Sequence, residues 1–259
     1  MLKRIAVVGD TRKLAEALSE NRGEDIDIVA VRPSDPLPPG TCAVGIFGKD
    51  CPPGTADLLL RVAGHYEEIL ELLALAIDAR EQLPEGSAKR ARDHATRFAI
   101  ACGLSADQRL ALERGALIHG IGKLRIPNDV LLKKAVLTYD EWLLLQSHTT
   151  LGADLVHQIE CLRDTEEIVR WHHCCYDGTG YPEALEGENI PLLARMMKII
   201  DVYCSMTSPR HYRKGYSTHE EALEYLKSES GKHFDPKLVK VFIEANVGQP
   251  LTNHEEKPA

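Results

Sequence analysis

Apolar and polar positions divide the chain into three unequal parts. Over the first 50 residues, short apolar runs alternate with Pro- and Gly-rich breaks. KRIAVVGD, IDIVAVR and CAVGIFG read as buried strands, TRKLAEALSE as a helix after the first of them, and PSDPLPPG and CPPG as loops. From about Ala56 to Leu83 the pattern turns helical. Val62, Tyr66, Ile69, Leu73 and Ala76 alternate three and four residues apart. That spacing suits either one core-facing helix joining two domains or a two-helix seam, and the core-facing helix is expected here. The remainder reads as helical, with clear start signals. Ser105…Gln108, Thr138…Glu141, Asp164…Glu167 and Thr218…Glu221 have capping-box character, and Asp235-Pro236 reads as an N-cap followed by a first-turn proline. The expected architecture is mainly α: a small α/β domain over 1–55, a linking helix over 56–83, a helical domain over 84–246 and a polar tail over 247–259.

Charge and cysteine content narrow the function classes. A chain of 259 residues can bury a sizeable core, and its net charge of −8 argues against a general DNA or RNA binder. It leaves room for a small anionic ligand held by a few local cations. No apolar run reaches the length of a membrane span, and MLKRIAVVGD lacks the long apolar stretch of a signal peptide. The seven cysteines show no repeated spacing, and Cys174 and Cys175 are adjacent. Both facts fit a reducing cytoplasm better than a disulfide framework.

The histidines carry the chemical signal. His119 follows Leu112 and Ala116 at helical spacing, and His148 follows Leu144 and precedes Leu151 and Leu155. His172 and His173 lie four residues after Ile168 and Val169, and Asp201 sits between Met197 and Cys204 within ARMMKIIDVYCSM. All five fall on apolar helix faces. One inward histidine is ordinarily a satisfied core residue; four of them with an inward carboxylate point to metal or anion chemistry. Directly behind the histidine pair, Asp177-Gly178-Thr179-Gly180-Tyr181-Pro182 has two glycines that permit a tight turn with positive φ and close approach of a ligand.

Two resemblances follow from these residues. The first 50 residues resemble a shortened response-regulator receiver, too short for the full fold, with Phe47-Gly48 where a phospho-accepting aspartate is expected. The stretch from about Gly86 to Asn246 resembles an HD-GYP domain, through HGIGKLRIPNDVLLKK, LTYDEW, HTTLGADLV, HHCCYDGTGYPEALEGENIPLLARMMKIIDVY, TSPRHYRKGYS and GKHFDPKLV in family order. This resemblance implies a helical fold, a site for two or three metal ions, commonly iron or manganese, and hydrolysis of cyclic di-GMP. It assigns metal-ligand roles to His119, His148, His172, His173 and Asp201. Lys123 matches the family's catalytic lysine. Gly180, Tyr181 and Pro182 match the GYP motif, and Arg210 and Arg213 match basic, phosphate-facing positions.

Other family positions are changed. The Asp of the HD pair, which bridges two metals, is Gly120, and the earliest histidine is Ser87, with Arg90 kept three residues on. His94 lies seven residues along and is expected to face elsewhere. An acidic residue found in some members is Leu83, the Glu after the double histidine is Cys174, and an Asp three after Asp201 is Cys204. The first metal is left chiefly with His119 and Asp201, whereas His148, His172 and His173 can still hold one zinc or iron ion. Cys174, Cys175 and Cys204 read as small buried residues rather than thiolate ligands. Three readings are open. The chain binds cyclic di-GMP, a related phosphoester or a signalling protein without efficient hydrolysis; it is a phosphodiesterase with a reduced metal site; or it is a structural adaptor with a relic site and no metal. A homodimer is compatible with each.

Overall fold

The structure is a computed structural model. It describes the backbone of residues 3–9, 26–31, 43–47 and 55–249, except residues 85 and 209–214, and within that backbone side chains from residue 68 onward. It is mainly helical. Three strands, β1 (Lys3–Gly9), β2 (Ile26–Val31) and β3 (Ala43–Phe47), pair in parallel in the order β2-β1-β3. The helix expected over TRKLAEALSE, the two loops and residues 250–259 of the expected tail lie outside the described residues; Val247, at the start of that tail, is buried in the main core.

The helix expected over 56–83 is α1 (Thr55–Arg80). Among the described residues its buried apolar side chains are Leu70, Ala74 and Ile77, whereas Ile69 is 56% exposed and Ala76 is also at the surface. The core-facing stripe is therefore one residue out of step with the one expected from Ile69, Leu73 and Ala76; the side chains of Val62 and Tyr66 lie outside the described residues. The reason is local. Leu70, Ala74 and Ile77 pack on Leu117, Ile118, Val156 and Val169, and Asp78 accepts from the Ala88 N–H at 3.1 Å to start the next helix. Those contacts set the rotation of α1.

Helices α2 (Ser87–Ala101), α3 (Ala106–Ile118) and α8 (Leu192–Met206) build the main core with α10 (Pro236–Glu244). Ala91, Ala95 and Ala99 keep one side of α2 small, so Phe98 can insert against Leu112 and Phe242. Each such large apolar side chain contributes about 1.5–3 kcal/mol when fully buried. Between α3 and α8 run a 3₁₀ turn (Ile121–Arg125), α4 (Asn128–Leu131), α5 (Tyr139–Gln146), α6 (His148–His157) and α7 (Glu166–Trp171); α9 (His219–Ser228) precedes α10.

The capping boxes at Ser105, Thr138 and Thr218 form, and Asp235 caps α10 through the Lys237 and Leu238 N–H groups. The one expected at Asp164 does not. A 3₁₀ turn, Glu160–Thr165, runs straight into α7, so Asp164 lies inside the turn and its carboxylate faces the buried Arg114 at 3.9 Å. Among the described residues no helix is long and apolar enough to cross a membrane.

Candidate metal centre

Helix ends position the histidines. His119 closes α3, His148 opens α6 and His172 closes α7, while Asp201 lies within α8. A glycine crossing brings the first two together. A Cβ on Gly122 would sit 1.8 Å from the His148 carbonyl oxygen, and one on Gly152 would sit 3.1 Å from the Gly122 nitrogen. Side chains at these positions would force the turn after His119 away from the first turn of α6.

His119, His148 and His172 each direct Nδ1 at a carbonyl one turn back, on Ala116 at 3.0 Å, Leu145 at 2.8 Å and Val169 at 2.9 Å. A carbonyl only accepts, so in His148 and His172 the proton sits on Nδ1 and Nε2 keeps its lone pair. The Nε2 atoms of His148 and His172 are buried without a hydrogen-bond partner. With His173 they offer ligand atoms all within 4.8 Å of one another. Burial pulls the His148 imidazole down to about 4 and those of His172 and His173 well below the usual range. Neutral imidazoles at pH 7 with unpaired lone pairs are the form a metal ligand needs, so the residues present fit a divalent ion.

Asp201 stands on the other side of this cluster. Burial alone would raise its carboxyl, but His119, with His173 and His172 behind it, holds it well below the usual carboxylate range. The His119 Nε2 to Asp201 Oδ1 separation is 3.7 Å, an electrostatic contact rather than a formed hydrogen bond. Tyr181 stacks on His173, with ring centroids 4.8 Å apart at 23°, and burial pushes its phenol up. Gly180 makes room for this stack. A Cβ there would meet the Cys175 nitrogen at 2.3 Å and the His173 carbonyl oxygen at 2.4 Å, so the glycine lets Tyr181 fold back over the double histidine. Pro182 follows Tyr181 across a cis peptide bond. Cys174 points away from the histidines, its Sγ 3.4 Å from the Tyr181 carbonyl oxygen, and burial pushes its thiol up to about 11. It is a small buried residue, not a thiolate.

The positions read as lost have new neighbours. Ser87 donates to the Pro84 carbonyl oxygen at 2.7 Å. Arg90 reaches the Cys204 carbonyl oxygen at 3.3 Å. His94 faces elsewhere, as expected, with Nδ1 2.9 Å from the Val247 carbonyl oxygen. Beside Gly120 stands a carboxylate that sequence reasoning missed. Glu81 accepts from Lys123 Nζ at 2.8 Å, and its Oε1 lies 3.3 Å from where a Cβ on residue 120 would be. Glu81, Gly120, Lys123, His119, Asp201 and Ser87 line one cavity. The available signal was an acidic residue just past the end of α1, two before Leu83. Arg210 and Arg213 lie outside the described residues.

Helical fold and histidine cluster together define an HD domain. The HD domain family profile matches residues 71–238, and the chain belongs to that family, in its HD-GYP type. It is 31% identical to a "3'3'-cGAMP-specific phosphodiesterase 2" of Vibrio cholerae, over 73% of this chain and 36% of that protein. It is 36% identical to the "Cyclic di-GMP phosphodiesterase response regulator RpfG" of Xanthomonas campestris pv. campestris, over 68% of this chain and 47% of that one. The chain thus spans between about a third and a half of the length of these two curated relatives. A crystal structure of a cyclic GMP-AMP-specific phosphodiesterase from V. cholerae shares the fold, with a TM-score of 0.53 at 23% identity over 71% of this chain and 49% of that one.

Proposed function

We propose that the protein binds a cyclic dinucleotide of the cyclic di-GMP class at a single-metal site and hydrolyses it slowly or not at all. The carrying observation is the convergence of His148, His172 and His173, with two buried Nε2 lone pairs that have no partner. A divalent ion held there supplies Lewis acidity toward a phosphoryl oxygen. Lys123 contributes a positive charge to the same cavity, Asp201 orients His119, and Tyr181 covers His173 and keeps water from one face. Gly120 and Ser87 provide no second-metal ligands, which supports impaired hydrolysis. Arg210 and Arg213 are proposed as further phosphate contacts. Residues 1–55 are proposed as a small receiver-like α/β unit, joined through α1 to a helical unit ending near 246.

A specific observation favours one alternative. Glu81 places a carboxylate against Gly120, so a carboxylate from α1's end can stand in for the one missing at 120 and restore a working phosphodiesterase. The two readings part on turnover. Purified protein supplied with manganese or iron is mixed with cyclic di-GMP, and the nucleotides are separated over time. Binding without conversion at ordinary enzyme rates, roughly 1–10³ per second, is expected. Conversion at such rates overturns the proposal in favour of the alternative.

A further inference from the structure

One helix beside the candidate metal centre is poorly explained by folding alone. Helix α5, YDEWLLLQ, has five aromatic or leucine residues and no buried one. Tyr139 is 75% exposed and Trp142 45%, with Leu143 and Leu144 also at the surface. What holds α5 is polar. Thr138 and Glu141 form its capping box, and Lys133 Nζ donates to Glu141 Oε2 at 2.6 Å. Exposed aromatic and aliphatic groups gathered beside a cavity mark a binding surface more often than a folding requirement.

The cavity indicates what is bound. Trp142 and Leu145 form one wall, and the inner part is formed by His148, His173, Tyr181, the Lys123–Glu81 ion pair and Asp201. Its volume is about 240 Å³, against about 30 Å³ for one water. A metal ion and a phosphate leave most of that space over. An aromatic series leads outward from the histidines. Tyr181 stacks on His173, and Trp142 meets Tyr181 edge-on at 6.4 Å between ring centroids. At one end lie the imidazoles that can hold a divalent ion and Lys123, whose charge is shared with Glu81, and at the other a half-exposed indole. An anionic group joined to a flat heterocycle matches both.

We infer that Trp142 is the stacking platform for a nucleobase of the bound phosphoester, with α5 as the wall that the base completes. This rests on the cyclic-dinucleotide reading above and names the residue that recognises the base. Phosphate goes to the Lys123 and histidine end, and the base lies on the indole face, where stacking tolerates any base but needs an aromatic partner.

The test titrates cyclic di-GMP into the full chain, loaded with manganese, as wild type, Trp142→Ala and Trp142→Phe, with heat release giving Kd. Trp142→Ala is expected to weaken binding about tenfold, the size of one lost base stack. Trp142→Phe keeps a ring and is expected to stay within about threefold. Metal per chain is expected to be unchanged in both, because the indole touches no ligand nitrogen. Tryptophan emission gives a second readout. The chain has two tryptophans, and quenching by cyclic di-GMP is expected to disappear in Trp142→Phe. If the alanine variant binds as tightly as wild type with its metal retained, the platform is refuted while the binding site stands. If wild type binds no cyclic di-GMP, the reading beneath it fails, and the platform with it.

Discussion

Gly120 and Glu81 occupy one volume from two distant points in the chain. Glu81 Oε1 is 3.3 Å from the position of a Cβ on residue 120, and Ile77 Cγ2 is equally close. Restoring an aspartate there therefore crowds a fixed carboxylate with a second of the same charge. Gly120→Asp alone is expected to lower the melting midpoint by several degrees. Overpacking costs about 1–3 kcal/mol, and each kcal/mol moves a domain of this size by about 2–4 °C. Adding Glu81→Ala is expected to return most of that loss, a coupling that a double-mutant cycle measures. Purely additive effects would show that the two side chains do not compete. The histidines were legible in the sequence because helix periodicity alone places His119, His148, His172, His173 and Asp201 on apolar faces. Glu81 was not, because its partner Lys123 is 42 residues away and nothing local marks the pairing.

Helix ends and crossings explain how those residues meet. Three capping boxes were legible because side chain and backbone partner lie three residues apart. Asp164 has the same local pattern, but buried Arg114 draws its carboxylate into the interior, and tertiary pairing overrides the cap. The stripe on α1 failed for a similar reason. Periodicity finds an apolar face, but the rotation of the helix is set by what it packs on, here Leu117, Ile118 and Val169. The glycine crossing that seats His148 was equally hidden. Gly122 and Gly152 are 30 residues apart, and each reads singly as a loop or helix glycine. At the end of α1, Arg80 donates to the Lys123 carbonyl oxygen at 3.2 Å while Glu81 takes the Lys123 ammonium. Both contacts tie the end of α1 to the loop between His119 and Ile126.

Across the whole molecule, several histidines are buried as neutral imidazoles. Burial is the leading cause for His94 and His148, both pulled down to about 4, and for His172 and His173. In the unfolded chain each titrates near about 6.5. The unfolded state therefore binds more protons between those values, and stability rises with pH there. The contribution is complete above about pH 6.5 and is lost as pH falls toward 4. Denaturant unfolding of the metal-free protein is expected to show lower stability at pH 5 than at pH 7.5. Equal stability at both would mean that these imidazoles are already solvated. Fold class followed from the helical pattern over most of the chain. The exposed apolar face of α5 did not, since LTYDEW looks like any capped helix until the cavity beside it is seen.

The proposed site holds one metal ion on three histidines and none at residues 87 and 120. Elemental analysis of the full chain purified without chelator, beside His148→Ala, tests it directly. About one ion per chain is expected in wild type and a near-complete loss in the variant, three imidazoles being the least that makes such a site. About two ions per chain, or an undiminished content in His148→Ala, would contradict it and turn attention to Glu81 as the replacement carboxylate.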